Sequence, residues 1–396
     1  MGMFDIQPAA KGQQRSANTL KKLERITKAL NHEEPDRVPI SDFFWGSFKE
    51  RWRRELELAD DADPYYHYDL DWIVTVPNMD PHIRSFETLS ESDEEVVVKT
   101  GYDAIIRKKF AYPMPEFIGW ETDSIEKLEA FEFDDALDRR RYFEAGDNQI
   151  AGVGDSFERN SPAWIDTVKG LYPDFPVFGS MGEVSECLTR LIGQENTFMW
   201  MGLHPERMGE CINRIGQFYV DCTRAMLEAG RGLIDGLVIW GDVAYKRGMF
   251  FSPDYWRRYF KPWVKAMVDL AHKDGLLVIY HGCGNVGQIF EDYIEMGIDA
   301  YNPLEVKAGM DVVALRKQYG HRIGFCGGSN IQVWETGDKK AIRKEVLRTL
   351  DAAKGGSMIF QSDHSVSSSV SGHTYDFIVK LVREYGQYPL NIGERD

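Results

Sequence analysis

The 396-residue chain has no run of about 18 apolar residues, the length at which a helix spans a bilayer, so a helical membrane protein is excluded. Its first twenty residues lack the apolar stretch of a secretory signal, and a cytoplasmic location is expected. Cysteine is scarce. Cys187, Cys211, Cys222, Cys283 and Cys326 are an odd, sparse set, which fits reduced thiols better than a disulfide framework. Basic side chains are in deficit, 47 against 63 acidic, and the formal charge of −16 argues against nucleic acid or an anionic membrane as partner, because binding there is driven by phosphate neutralisation. There is no Walker loop, no GxSxG elbow and no internal repeat. Small-molecule chemistry or a protein partner remains.

A hydrophobic fraction of 43% is enough for a large core. At roughly 150 residues per domain the length suggests two or three units, but one α/β barrel with insertions reaches the same size. Residues 1–15 are polar and read as a loose tail. From Ser16, apolar residues recur at helical spacing (Leu20, Leu23, Ile26, Leu30) until Glu34-Pro35 breaks the pattern. Eight short apolar or β-branched runs follow at 38–44, 71–76, 176–181, 236–242, 276–283, 299–303, 322–326 and 358–362, numbered here as strands one to eight. Helical spacing separates the later ones at 255–273, 286–296, 312–319 and 339–354. Repeated strand–helix alternation predicts an α/β fold, a (β/α)8 TIM barrel whose active site gathers at the C-terminal strand ends. Residues 16–396 are expected to form this single barrel. Residues 49–174 supply only one strand and a hairpin, so they are expected to contain a lid inserted over the barrel mouth.

The strongest chemical signal is LLVIYHGCGN. His281 and Cys283 lie two apart at the end of strand five and so project from one side. Imidazole nitrogen and thiolate are preferred zinc donors, and a catalytic zinc takes a third protein ligand. Candidates are His364, beside Asp363 after strand eight, Glu305 after strand six and Cys326 closing strand seven. The plainer alternative makes His281 a hydrogen-bonded barrel histidine and Cys283 a small packed hydrophobe; packing is the preferred role for Cys326. Asp242 ends strand four, where a carboxylate can bind a substrate hydroxyl, carry a proton or merely cap the next helix. Asp42 and Asp80 hold comparable positions after strands one and two. The aromatic segment DFFWGSFKERW suits helix packing slightly better than a substrate pocket. SESDEE reads as a solvated turn and Trp334 as helix surface.

ERITKALNHEEPDRVPI, FFSPDYWRRYFKPWVKAMVDLAHKDGLLVIYHGCGN, EVKAGMDVVALRKQYG and GGSMIFQSDHSV together resemble the uroporphyrinogen decarboxylase superfamily over most of residues 20–390. The resemblance implies a distorted (β/α)8 barrel. The porphyrinogen decarboxylases of the superfamily hold propionates with arginines after strand one, whereas here SDFFWGSFKERW has none before Arg51. The H-x-C pair is instead similar to the branch of corrinoid-dependent methyltransferases, in which such a pair and a later cysteine hold zinc. His281 and Cys283 match the first two ligands, and SDHSV puts His364 where the last-strand cysteine would stand.

The expectation is therefore a zinc-dependent methyltransferase exchanging a methyl group between a small substrate (a methoxylated compound, a methylamine or a thiol) and a corrinoid protein that supplies the methylcobamide. His281, Cys283 and His364 would be the metal ligands with Glu305 in reserve, and Asp242 and His364 the catalytic groups. A homodimer is left open. The alternative is a metal-independent decarboxylase of a small carboxylate, which would place Arg107, Lys108 or Arg247 at the mouth.

Overall fold

The computed structural model describes residue 12 and residues 14–112, 114–149 and 158–392. Of the tail expected at 1–15, only residues 12, 14 and 15 fall within these; Arg15 pairs with Asp235 at 2.5 Å. Seven strands form one parallel sheet: Ile73–Thr75, Val177–Gly182, Gly236–Trp240, Leu277–His281, Ala300–Asn302, Gly324–Cys326 and Met358–Ile359. They are strands two to eight of the sequence reading, each neighbouring the next in chain order.

Strand one closes the ring. Its segment bridges strand eight in parallel at Ile40–Phe360 and Phe44–Val366, while Asp71 N–H donates to Ile40 O at 2.9 Å on the other side. No continuous ladder forms here. Pro39 has no N–H to give, and the Ile40 N–H turns instead to the Asp71 carboxylate at 2.7 Å. The result is a distorted (β/α)8 barrel, as the strand count predicted.

The lumen is filled according to the two-residue period of a strand. Val238 and Trp240, Leu277 and Ile279, with Phe43, Trp72, Phe178, Ala300, Cys326 and Ile359, form one apolar cluster. The first helix, Ala17–Leu30, is capped by the Ser16 hydroxyl and plugs the floor with Ile26 and Leu30. Leu20, read as part of its apolar stripe, lies at the surface instead. An ionic knot locks this floor: buried Asp71 accepts from Arg25 at 2.5 Å and from Arg37 at 2.7 and 2.9 Å.

Between strands two and three the chain builds a four-stranded antiparallel sheet, Glu87–Glu91, Glu95–Lys99, Ala104–Lys109 and Glu116–Trp120, around Phe86, Val96, Val98 and Ile106. The SESDEE segment turns between its first two strands. The sheet rests on the helix after strand three, Val184–Leu203, at a kink. There Gly193 has φ +78°, and a Cβ would lie 2.9 Å from the Trp120 ring. Trp334 is not helix surface: it is fully buried and donates to the Ser329 hydroxyl at 3.2 Å. Among the described residues no helix is long and apolar enough to cross a membrane.

Candidate metal centre

His281 continues the inward series Leu277, Ile279 one step above the lumen cluster, at the C-terminal end of strand five. Its ring is fixed by one hydrogen bond. Asn302, at the end of strand six, donates through Nδ2 to Cys326 O at 2.8 Å, so its Oδ1 is left as an acceptor, 2.5 Å from His281 Nδ1. The His281 proton therefore sits on Nδ1. The Nε2 lone pair points at Cys283 Sγ, 3.7 Å away. Burial keeps the imidazole pKa low, which favours the neutral ring that a metal requires.

Cys283 stands just past the strand end, with its N–H donating to Asp242 Oδ1 at 2.8 Å. Burial pushes its thiol pKa well up, and the charges of Asp242 and Glu305 add to the shift. A thiol so placed ionises only beside a cation. Tetrahedral zinc, with bonds of about 2.3 Å to sulfur and about 2.0 Å to nitrogen, holds the two atoms about 3.6 Å apart. The pair fits that spacing.

Two groups of three donors surround it, each with ligand atoms within 4.8 Å of one another: Asp242, His281 and Cys283, and Cys283, Glu305 and His364. Cys283 belongs to both. The expected triplet of His281, Cys283 and His364 is not one of them. Glu305 is buried and engaged at both oxygens, by Gly284 N–H at 2.7 Å and by Lys307 at 2.9 Å. His364 donates from Nδ1 to Ser365 O at 3.3 Å. Cys326 lies lower, in the lumen cluster, with its Sγ 3.1 Å from Gln361 Oε1, and joins neither group.

Other strand-end acids divide by partner. Asp363 spends its two oxygens on the N–H groups of Ile331 and Val306, at 2.7 and 2.9 Å, tying down the loops after strands seven and six. Asp42 is buried against the Ser362 and Tyr375 hydroxyls. Asp80 is buried and accepts from Gln149 N–H at 3.3 Å. Arg107 lies in the four-stranded antiparallel sheet between Glu95 and Glu116, Lys108 is its neighbour in the same strand, and Arg247 is exposed in the turn after strand four.

Two acids escaped the sequence reading, although MGEVSE follows strand three as directly as GDVA follows strand four. Glu186 accepts the Asp242 N–H at 3.3 Å. Burial alone would raise its pKa, but the paired Arg190 guanidinium outweighs this and holds it low. Glu183 is buried beside it and donated to by the Ser185 hydroxyl at 2.7 Å; burial raises its pKa to about 8. The aromatic segment after strand one divides: Phe48 and Trp52 pack in the helix Gly46–Glu55, while Phe43 lies 6.1 Å from the His281 ring and Trp45 6.5 Å from that of His364.

No match was found among curated proteins. A methyltransferase from Methanosarcina mazei superposes with a TM-score of 0.60 at 15% identity, over 92% of this chain and 98% of that one, which shows a shared fold. An endo-1,4-beta-xylanase from Penicillium canescens reaches only 0.35 at 8% identity, over 60% of this chain and 83% of its own, and no argument rests on it. The sequence model of the uroporphyrinogen decarboxylase (URO-D) family matches residues 161–385, a span that includes the ends of strands three to eight and with them both donor groups. The chain belongs to the uroporphyrinogen decarboxylase family.

Proposed function

We propose that this protein is a zinc-dependent methyltransferase, acting in the cytoplasm, that exchanges a methyl group between a small substrate and a corrinoid carried by a partner protein. One observation carries the reading: His281 Nε2 and Cys283 Sγ face each other at 3.7 Å with the histidine proton held on the opposite nitrogen. The likeness of the fold to a methyltransferase supports the reaction class, and five free thiols suit a reducing compartment.

His281 and Cys283 would hold the metal. Bound zinc supplies Lewis acidity, which lowers the pKa of a substrate thiol or polarises the heteroatom from which a methyl group leaves. The corrinoid supplies the other seat of the methyl group. Asn302 keeps the His281 ring in the ligating tautomer. His364, on the far side of Cys283, has its Nε2 free to take or return the proton of the substrate heteroatom. Phe43, Trp45 and Trp240 line the approach and keep water from the reacting atoms.

The test is metal analysis of the purified chain, with methylcobalamin and a thiol as assay substrates followed through the cobalamin spectrum. Zinc should be present and should be lost, with the spectral change, in His281→Ala and Cys283→Ser. Methyl transfer that survives chelation and both substitutions would overturn the metal-dependent reading, and a wild-type chain with no zinc and no spectral change would favour the metal-independent decarboxylase.

A further inference from the structure

Three side chains around the H-x-C pair offer donor atoms, and the structure distinguishes among them. Only Asp242 shares one donor group with both His281 and Cys283. His364 and Glu305 share a group with Cys283 but not with His281. Commitments to other partners separate them further. Glu305 is already neutralised by Lys307 and bound to Gly284 N–H. Asp242 is fixed on one side only: Cys283 N–H holds Oδ1, and its backbone is held in turn by Glu186. No hydrogen bond to its second oxygen appears among the described residues, and the residue is partly open to solvent.

Charge balance agrees. A divalent ion among Asp242, the Cys283 thiolate and neutral His281 leaves no net charge, since Arg190 compensates Glu186 and Lys307 compensates Glu305. An ion moved to the Cys283, Glu305 and His364 group would compete with Lys307 and strand the Asp242 carboxylate beside an empty corner.

We infer that Asp242, and not His364, is the third protein ligand of the metal, giving a nitrogen, sulfur and oxygen donor set from the ends of strands four and five. The inference rests on the metal-dependent reading above. His364 is then left outside the coordination sphere, on the side where substrate enters, with its Nε2 free for proton transfer.

Cobalt(II) substitution of the full chain tests this without reference to activity, because a thiolate ligand adds a charge-transfer band in the near ultraviolet. Chelator competition should show the metal affinity of Asp242→Asn reduced by more than the roughly tenfold to hundredfold that loss of an outer, positioning partner costs, with His364→Gln close to wild type. Should Asp242→Asn fold poorly, the cysteine variants decide. Asp242→Cys should strengthen the sulfur-to-cobalt band, and His364→Cys should leave it unchanged. The reverse pattern in either pair would overturn the assignment and return the third position to His364, with the metal-dependent reading intact. Failure of the wild-type chain to bind cobalt or zinc at all would overturn both.

Discussion

The Nδ1 of His281 lies 2.5 Å from the Oδ1 of Asn302, and the amide of Asn302 is itself held by donation to Cys326 O. Three adjacent strands thus cooperate to aim one lone pair at Cys283. Asn302→Leu removes the acceptor, frees the ring to rotate and leaves its tautomer unspecified. Zinc affinity should fall about tenfold to a hundredfold, with the fold intact, when measured by chelator competition. Unchanged affinity would mean that the orientation of His281 is set by its contact with Trp240 alone.

Asp71 binds two buried guanidinium groups and the Ile40 N–H at once. Asp71→Ala strips buried Arg37 of its carboxylate and leaves Arg25 with Asp36 alone, and urea unfolding should report a loss of about 3–5 kcal/mol. Metal content of the folded fraction should not change, because the knot lies at the opposite end of the strands from the donors. A loss below about 1 kcal/mol, typical of an exposed pair, would contradict its structural role.

Asp42 makes a prediction about pH. Burial raises its pKa from 3.8 to about 7, against hydrogen bonds from Ser362 and Tyr375 that lower it. The folded chain therefore holds a proton that the unfolded chain releases between those values. Its contribution to stability is fully present below about pH 4 and is lost as the pH rises through about 7. Asp42→Asn carries no titrating proton, so its stability relative to wild type should climb by up to about 4 kcal/mol from pH 4 to pH 7 and then level off. Thermal unfolding of both proteins across that range would show it, and parallel curves would refute it.

Cys326 and Cys283 should respond in opposite ways. Cys326 is enclosed in the lumen, so Cys326→Ala should cost on the order of 1 kcal/mol in stability through the void it leaves and should keep its zinc. Cys283→Ser should lose zinc at little cost in stability. Elemental analysis alongside denaturant titration separates the two. Zinc loss in Cys326→Ala would put the metal deeper in the barrel.

Seven strands and most helices were legible in the sequence because buried parallel strands demand continuous β-branched and apolar runs, as in GLVIW and LVIYH, and helices demand their own spacing. The segment 312–319 matches Val312–Tyr319 at both ends, where Asp311 caps it and Gly320 stops it. Strand one was legible as a run but not as a ladder, because the N–H of Ile40 answers to an aspartate 31 residues away. The four-stranded sheet showed only its middle hairpin; its outer strand Glu87–Glu91 is exposed throughout and carries no apolar signal. At the site, the H-x-C spacing marked two donors, since both lie at the end of one strand. Nothing along the chain could show that Asn302 would fix the ring, or that Asp242 rather than His364 would meet His281 and Cys283 together. Those relationships depend on how far neighbouring strands are staggered.

Gly193 and Trp120 have a consequence for how this enzyme can change. The indole occupies the space into which any side chain at 193 would project, and its Nε1 is held by Arg190 O at 2.9 Å. A larger residue at 193 evicts the indole, and a smaller one at 120 leaves a hollow against the helix that carries Glu186 and Arg190. Roof and helix are therefore inherited as a matched pair. A change at either position is tolerated best when the other changes with it.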